Sequence, residues 1–218
     1  MSNIVKLNTR NKTALRDRAL VALLQGEVIV VAAEHGYFYI CDAFNQIAVG
    51  RLHELRGDQP GTAAQVLIGK VNAVSGLATD FDSEWQKVVG AFWPGLLTIQ
   101  LAPQAALSWD LGDGRTLPEF AVRVPQREFL LSLLAKSGPL AAASASIAGQ
   151  APNRDITYIP AMPNEVGLLV DEGVLPEGPA STVLRREKIG GPLVAQRVGA
   201  ISLEQLQEVL PTIVARKP

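Results

Sequence analysis

The sequence predicts a single α/β domain, in which a mixed, twisted β-sheet carries helices packed on it. Composition is the first reason, because 48% of the 218 residues are hydrophobic and 19% are charged, as in a soluble globular protein. The order of the predicted elements along the chain is the second reason. Short apolar runs typical of strands alternate with amphipathic stretches through most of the chain, and strand-like runs follow one another near the end. The length suits one domain better than two.

Helices are predicted where apolar residues recur three or four positions apart and where cap residues begin or end the pattern. Leu15, Ala19 and Leu23 show this spacing in the first segment, and Gly57 ends the second. Thr79 is the expected N-cap of the third, whose N-terminal half is acidic. The predicted helices cover residues 13–27, 44–57, 79–93, 126–138 and 202–215.

Strands are predicted where short apolar runs lie between turn residues. The glycine- and aspartate-containing residues 107–119 predict a loop or hairpin insertion. We expect one domain over residues 1–218, with flexible ends at residues 1–10 and 212–218. The predicted strands cover residues 28–33, 37–43, 65–71, 96–102, 120–125, 140–146, 166–173, 181–187 and 192–199.

Composition and motifs exclude several classes of protein. The net charge of −1 provides no overall field for nucleic acid or acidic lipid, so a polyanion would need a local basic cleft. Cys41 has no cysteine partner, and with His35 and His53 as the only histidines a Cys/His metal site is not expected. No signal peptide or membrane span is evident, which favours a reducing cytoplasm. The P-loop, GxSxG, HExxH and paired CxxC signatures are absent.

Polar residues at predicted strand ends are the candidates for a site, because ligands of α/β sheets bind outside strand ends. Three arginines from distant segments would bind phosphate or carboxylate if they converged, although each could instead pair with a surface acid. The small residues of "LAAASAS" between them would let a ligand approach the backbone. The candidates are Glu34, His35, Arg56, Arg123, Ser144, Ser146, Ser181, Thr182 and Arg197.

Five segments in order, "AFWPGLLTIQLAP", "LSWDLGDGR…AVRVP", "GPLAAASASIAGQAP", "LLVDEG…PEGPASTVLR" and "QRVGAIS", resemble the threonylcarbamoyl-AMP synthase (YrdC-like) family, most closely its actinobacterial members. The resemblance implies a YrdC-like twisted sheet with flanking helices and a large concave cleft. It implies an enzyme, a nucleotidyltransferase that makes threonylcarbamoyl-AMP and pyrophosphate from L-threonine, bicarbonate and ATP with Mg²⁺, the first step of tRNA t6A formation. Implied partners are tRNA or double-stranded RNA and other t6A-pathway proteins.

The resemblance also assigns residues. Arg56, Thr98, Ser144, Ser146 and Arg197 fall where the family contacts ATP. The threonine-contacting positions hold Arg123 and Ser181, and with them His35 and Tyr37 of the strand-turn are the candidate substrate-binding residues. No protein nucleophile or general base is implied, because the substrate amine attacks bicarbonate or CO₂ and the carbamate then attacks the α-phosphate.

Departures from the family pattern cluster in the ATP half of the site and in the adjoining strand-turn. The turn "PTxTVYGL" is here "AAEHGYFY", with Ala33 and His35 in place of the threonines. The phosphate-gripping K-x-R is Arg56-Gly57-Asp58, and the asparagine of S-x-N is Ser146. Asp58 would repel a triphosphate unless it recruits Mg²⁺. Two alternatives therefore stay open: a catalytically degenerate paralogue that binds nucleotide, double-stranded RNA or a partner, and carbamoyl-adenylate chemistry on a different amine.

Overall fold

A computed structural model describes residues 3–160, 166–188 and 190–216. The described helices are α1 (Lys12–Leu24), α2 (Gln46–Arg56), α3 (Ser83–Phe92), α4 (Glu128–Ser137) and α5 (Leu203–Val209). The described strands are β1 (Ile4–Lys6), β2 (Ile29–Ala32), β3 (Tyr37–Asp42), β4 (Gln65–Leu67), β5 (Leu97–Leu101), β6 (Phe120–Arg123), β7 (Leu140–Ser144), β8 (Leu168–Asp171), β9 (Thr182–Arg186), β10 (Leu193–Arg197) and β11 (Val214–Ala215). Short 3₁₀ turns cover Val71–Gly76 and Ile156–Tyr158.

The strands form one mixed sheet in the order β1-β8-β2-β3-β7-β4-β6-β5-β9-β10-β11. The pairs β2–β3, β3–β7, β4–β7, β5–β6 and β9–β10 are antiparallel, whereas β1–β8, β2–β8, β4–β6, β5–β9 and β10–β11 are parallel. The predicted mixed α/β sheet with flanking helices is therefore confirmed.

Two hydrophobic layers cover the sheet. Helices α1 and α4 bury one face, where Leu15 and Phe129 pack with Ile29 and Ile40. Helices α2, α3 and α5 bury the opposite face, where Leu52, Trp85 and Leu206 join one larger cluster. The alternation of side chains along a strand explains the two layers, since neighbouring residues point to opposite faces. Across the described ranges, no helix is both long enough and apolar enough to cross a membrane.

Local structure differs from the sequence-based prediction at the start of α3, in the last predicted helix and in the terminal segments. The helix predicted over residues 202–215 covers only Leu203–Val209, and Val214–Ala215 is strand β11. The prediction of Thr79 as the cap of α3 is wrong, because Asp82 accepts the backbone N–H groups of Glu84 and Trp85 and α3 begins at Ser83. The two terminal segments each contain a short strand that was not predicted, and their flexibility stays a prediction. Strand β1 lies in the expected flexible segment 1–10, and β11 lies in 212–218, where each pairs with an edge of the sheet.

The insertion at residues 107–119 is a loop, as predicted, but it is anchored in the core. Trp109 is 6% exposed, stacks on Phe44 at 5.6 Å and meets Phe120 edge-on at 4.9 Å. The carbonyl of Leu111 accepts the backbone N–H of Ala64, which precedes β4. The loop is therefore held against the end of α2 and the start of β4, at the wall of the cavity described below.

Candidate functional site

One cavity of about 430 Å³ opens at the sheet, beside β7 and the residues that follow β2 and α2. Helix α2 ends here at Gly57, which has the left-handed conformation that favours glycine, φ 65°. Strand β7 presents alanines to the cavity, which leaves room beside the backbone. The polar and charged lining residues are Glu34, His35, His53, Arg56, Asp58, Thr62, Gln65, Arg123, Ser144, Ser181 and Arg197.

Arg56 is fixed at the cavity wall by several acceptors. Its Nη1 donates to the carbonyl of Ser144, to Ser144 Oγ at 2.8 Å and to the carbonyl of Ser146 at 3.3 Å. Its Nε donates to Asp58 Oδ2 at 2.9 Å. The acceptors come from the end of β7, from the residues just after it and from the turn after α2, so the guanidinium has one preferred orientation.

Asp58 was predicted to repel a triphosphate, but in the structure its carboxylate contacts Arg56 and His53. Oδ2 accepts from Arg56 and also lies 2.8 Å from Nδ1 of His53, and the Asp58 side chain is only 6% exposed. The negative charge predicted to repel a triphosphate is therefore neutralised inside the protein. This arrangement makes Oδ2 of Asp58 part of an ion pair. Among the described residues no group of three or more His, Cys, Asp or Glu side chains is placed to hold a metal ion.

A chain of hydrogen bonds crosses the other side of the cavity. Gln65 Nε2 donates to Thr98 Oγ1 at 2.9 Å, and Thr98 Oγ1 donates to Ser181 Oγ at 3.0 Å. Arg197 Nη2 donates to Ser181 Oγ at 3.1 Å and to the Ser181 carbonyl at 2.9 Å. Strands β4, β5 and β10 thus hold Ser181, just before β9, in one position, and Arg197 extends from it along the cavity wall.

Arg123 is the most deeply buried charge of the site, at 2% exposure. Its Nη2 lies 3.1 Å from Oε2 of Glu34, and its guanidinium lies 5.8 Å from the centre of the Phe38 ring. Burial lowers the pKa of Arg123, and the charge of Glu34 opposes this shift. Within the part of the chain that the structure describes, Nε and Nη2 of Arg123 and Oε2 of Glu34 have no hydrogen-bond partner. Buried donors without partners are costly, which suits a site completed by a ligand.

Four of the sequence-predicted residues do not line the cavity directly. Thr182 is fully buried, and its Oγ1 donates to the Ile201 carbonyl at 2.7 Å. Tyr37 is buried in the core, where its hydroxyl donates to the Gly173 carbonyl at 2.8 Å and accepts from Glu172 N–H at 2.9 Å. Burial raises the pKa of Tyr37 to about 12. Thr98 and Ser146 lie behind the cavity wall, where they contact the lining residues Ser181 and Ser144, respectively. The cavity lining does include His35, with Nδ1 3.3 Å from the Pro176 carbonyl.

His53 and Gln65 also line the cavity, although neither was predicted to belong to the site. His53 lies one turn before the end of α2, so its spacing from Arg56 was a usable signal, because residues three apart share a helix face. Gln65 had no such signal. Its side chain reaches Thr98 only because β4 and β5 flank β6 in the sheet.

Known proteins resemble this chain over almost its whole length. A family model named Sua5/YciO/YrdC, and described as telomere recombination, matches residues 21–198. A Mycobacterium leprae protein assigned as a threonylcarbamoyl-AMP synthase is 29% identical over 198 residues, which are 90% of this chain and 88% of that protein.

Two solved structures extend the comparison. The Pyrococcus abyssi Sua5 structure complexed with L-threonine superposes with a TM-score of 0.86 and 25% identity, over 98% of this chain. The chain spans 62% of that Sua5 chain. Escherichia coli YciO has a TM-score of 0.81 at 20% identity and covers 94% of this chain, and that similarity concerns the fold alone.

Proposed function

The chain belongs to the Sua5/YciO/YrdC family, and from that premise we propose that it forms threonylcarbamoyl-AMP and pyrophosphate from L-threonine, bicarbonate and ATP. The observation that carries this proposal is the convergence of Arg56, Arg123 and Arg197, from three distant segments, on one cavity. Guanidinium groups pair with phosphate and carboxylate oxygens, and these substrates carry both. The names of the relatives support the same reaction.

The amino acid would occupy the Arg123 end of the cavity. Arg123 has buried donors for an α-carboxylate, and Ser181 Oγ is held nearby in the wall by Thr98 and Arg197. The triphosphate would lie between Arg56 and Arg197, with Ser144 beside it. Mg²⁺ would enter with ATP as part of that substrate, because the Asp58 carboxylate is already neutralised by Arg56 and His53.

Catalysis would come from proximity and charge. Holding amine, bicarbonate and the α-phosphate in one cavity favours attack of the amine on bicarbonate with loss of water, or on CO₂ with loss of a proton, to give a carbamate. The carbamate oxygen then attacks the α-phosphate, and pyrophosphate leaves. The arginines stabilise charge that develops on the phosphate oxygens. RNA binding and contact with other t6A-pathway proteins stay predictions.

A second candidate is the same chemistry on another amine. Glu34, which pairs with Arg123, and His35 both line the cavity, so this end offers acidic and imidazole groups to a substrate. The enzyme would then use Glu34 and His35 to select a different amine. The assay below separates the two candidates by the amino acid that gives the fastest pyrophosphate release.

The test is pyrophosphate release from MgATP with bicarbonate and each of the common amino acids. We expect release that depends on L-threonine and is lost in Arg123→Ala. The matched control Arg18→Ala removes an exposed arginine of α1 and should leave the rate unchanged. Faster release with another amine would support the second candidate. ATP binding without release under any condition would instead support the catalytically degenerate paralogue.

A further inference from the structure

His53 makes two hydrogen bonds that determine its protonation state. Nδ1 lies 2.8 Å from Asp58 Oδ2, and Nε2 lies 2.8 Å from the carbonyl oxygen of Leu111. A carbonyl and a carboxylate only accept hydrogen bonds, so both ring nitrogens must donate. Neutral imidazole has one N–H and cannot satisfy both contacts. The imidazolium can.

The alternative, a proton on Asp58, is disfavoured by the same contacts. Oδ2 is the oxygen that faces His53, and it also accepts Arg56 Nε at 2.9 Å. A neighbouring guanidinium favours the ionised carboxylate. Gly112 shows how closely the loop encloses the ring. A Cβ on Gly112 would lie 2.2 Å from His53 Nε2, so only glycine leaves room for the Leu111 contact.

We infer that these two contacts hold His53 as an imidazolium, and that its positive charge offsets the negative charge of Asp58 at the end of the cavity that we assign to phosphate. His53 is a positioning residue, because it acts through Asp58 on Arg56. It neutralises Asp58, and the charge of Arg56 is then free to attract an anion. Without the His53 charge, Arg56 and Asp58 would cancel. The ligand class is a polyphosphate, and the inference deepens the proposed function and rests on it for the identity of ATP.

The location of the ring supports this role. The His53 side chain is 13% exposed and contributes to the cavity lining, together with Arg56 and Asp58. Arg56 Nη2 has no hydrogen bond to any described residue, whereas Nε and Nη1 are engaged. A free N–H group beside a local excess of positive charge suits a phosphate oxygen.

The first experiment measures the charge directly. Protein labelled with ¹⁵N-histidine is examined by ¹H–¹⁵N correlation NMR, and the His53→Gln spectrum assigns the His53 signals. We expect both ring nitrogens of His53 to carry protons at the pH of the assay. A nitrogen without a proton would overturn the inference.

The second experiment measures binding of tripolyphosphate, which contains no adenosine, by calorimetry. We expect His53→Gln to weaken this binding roughly tenfold, because one charge is lost near the anion. Arg51→Gln removes a charge from an exposed position of the same helix and should change binding little. Equal weakening by both variants, or none by His53→Gln, would refute the role. So would failure of the unaltered protein to bind tripolyphosphate.

The kinetic readout separates this inference from the proposed function. In the active enzyme, His53→Gln should raise KM for ATP about tenfold, with a smaller change in KM for the amino acid. If the unaltered protein released no pyrophosphate while the NMR and tripolyphosphate results held, the proposed reaction would fail and the role of His53 would stand. Loss of amino-acid affinity alone would contradict the His53 inference.

Discussion

Replacing Arg123 with Met should destabilise the protein strongly, because it leaves the carboxylate of Glu34 buried without a counter-charge. Glu34 is 9% exposed and Arg123 2%, and their charged atoms lie 3.1 Å apart. At an effective dielectric constant of about 20, charges at that distance attract by about 5 kcal/mol. Removing one partner of such a pair typically costs about 3–5 kcal/mol, a large part of the stability of an average domain.

The assay is urea unfolding of a double-mutant cycle with Glu34→Gln. Gln keeps an oxygen that can accept the Gln126 N–H, which Glu34 Oε1 accepts at 2.8 Å. The double variant should therefore lose less stability than Arg123→Met alone, since no charge is left buried. A loss below about 1 kcal/mol for Arg123→Met, or losses that simply add, would show that the pair is not a coupled buried ion pair.

Two further changes test the surroundings of the site. Burial raises the pKa of Tyr37 to about 12. The stability that this shift contributes is complete below the ordinary pKa near 10 and is lost as the pH rises from about 10 to 12. Tyr37→Phe should flatten this part of a pH–stability curve, and an unchanged slope would contradict the raised pKa of Tyr37. Gly112 has φ 103° and faces the His53 ring. Gly112→Ala should cost about 1–3 kcal/mol in chemical unfolding, and a neutral result would mean that the loop moves freely from α2.

The fold followed from the sequence because its strongest signals are local. Apolar spacing, the glycine at the end of α2 and the buried run of β2 each depend on near neighbours in the chain. The two terminal strands were not predicted, for the same reason. Strand β1 has three residues and is stabilised by pairing with β8, which lies more than 160 positions away in the chain. No pattern among neighbouring residues predicts a partner so distant in the chain.

The residues that form the candidate site could be predicted from their types, but the contacts between their side chains could not. Arg56, Arg123 and Arg197 were selected as candidates for an anion site, and the structure brings them to one cavity. The sequence could not show that Glu34 faces Arg123, because that contact depends on how distant segments pack. Asp58 and His53 are only five positions apart. Their contact is local, but helix spacing alone does not predict it, because the left-handed Gly57 ends α2 between them. Tyr37 kept its place in the motif, yet its hydroxyl turns toward the loop after β8.

Asp58 and His53 are best understood as a coupled pair rather than as separate departures from a family motif. An arginine at position 58 alone would place a guanidinium in an almost closed position between Arg56 and His53, where like charges repel. Asp58→Arg should therefore weaken folding without improving tripolyphosphate binding, whereas His53→Leu with Asp58→Arg should recover part of both. If Asp58→Arg alone bound tripolyphosphate more tightly at unchanged stability, the charges here would be independent. If the coupling holds, it explains how an acid fits in the proposed phosphate site, because the cost of the acid is offset by His53 on the last turns of α2. The number of cations in the motif would then not by itself decide between an active and a degenerate protein.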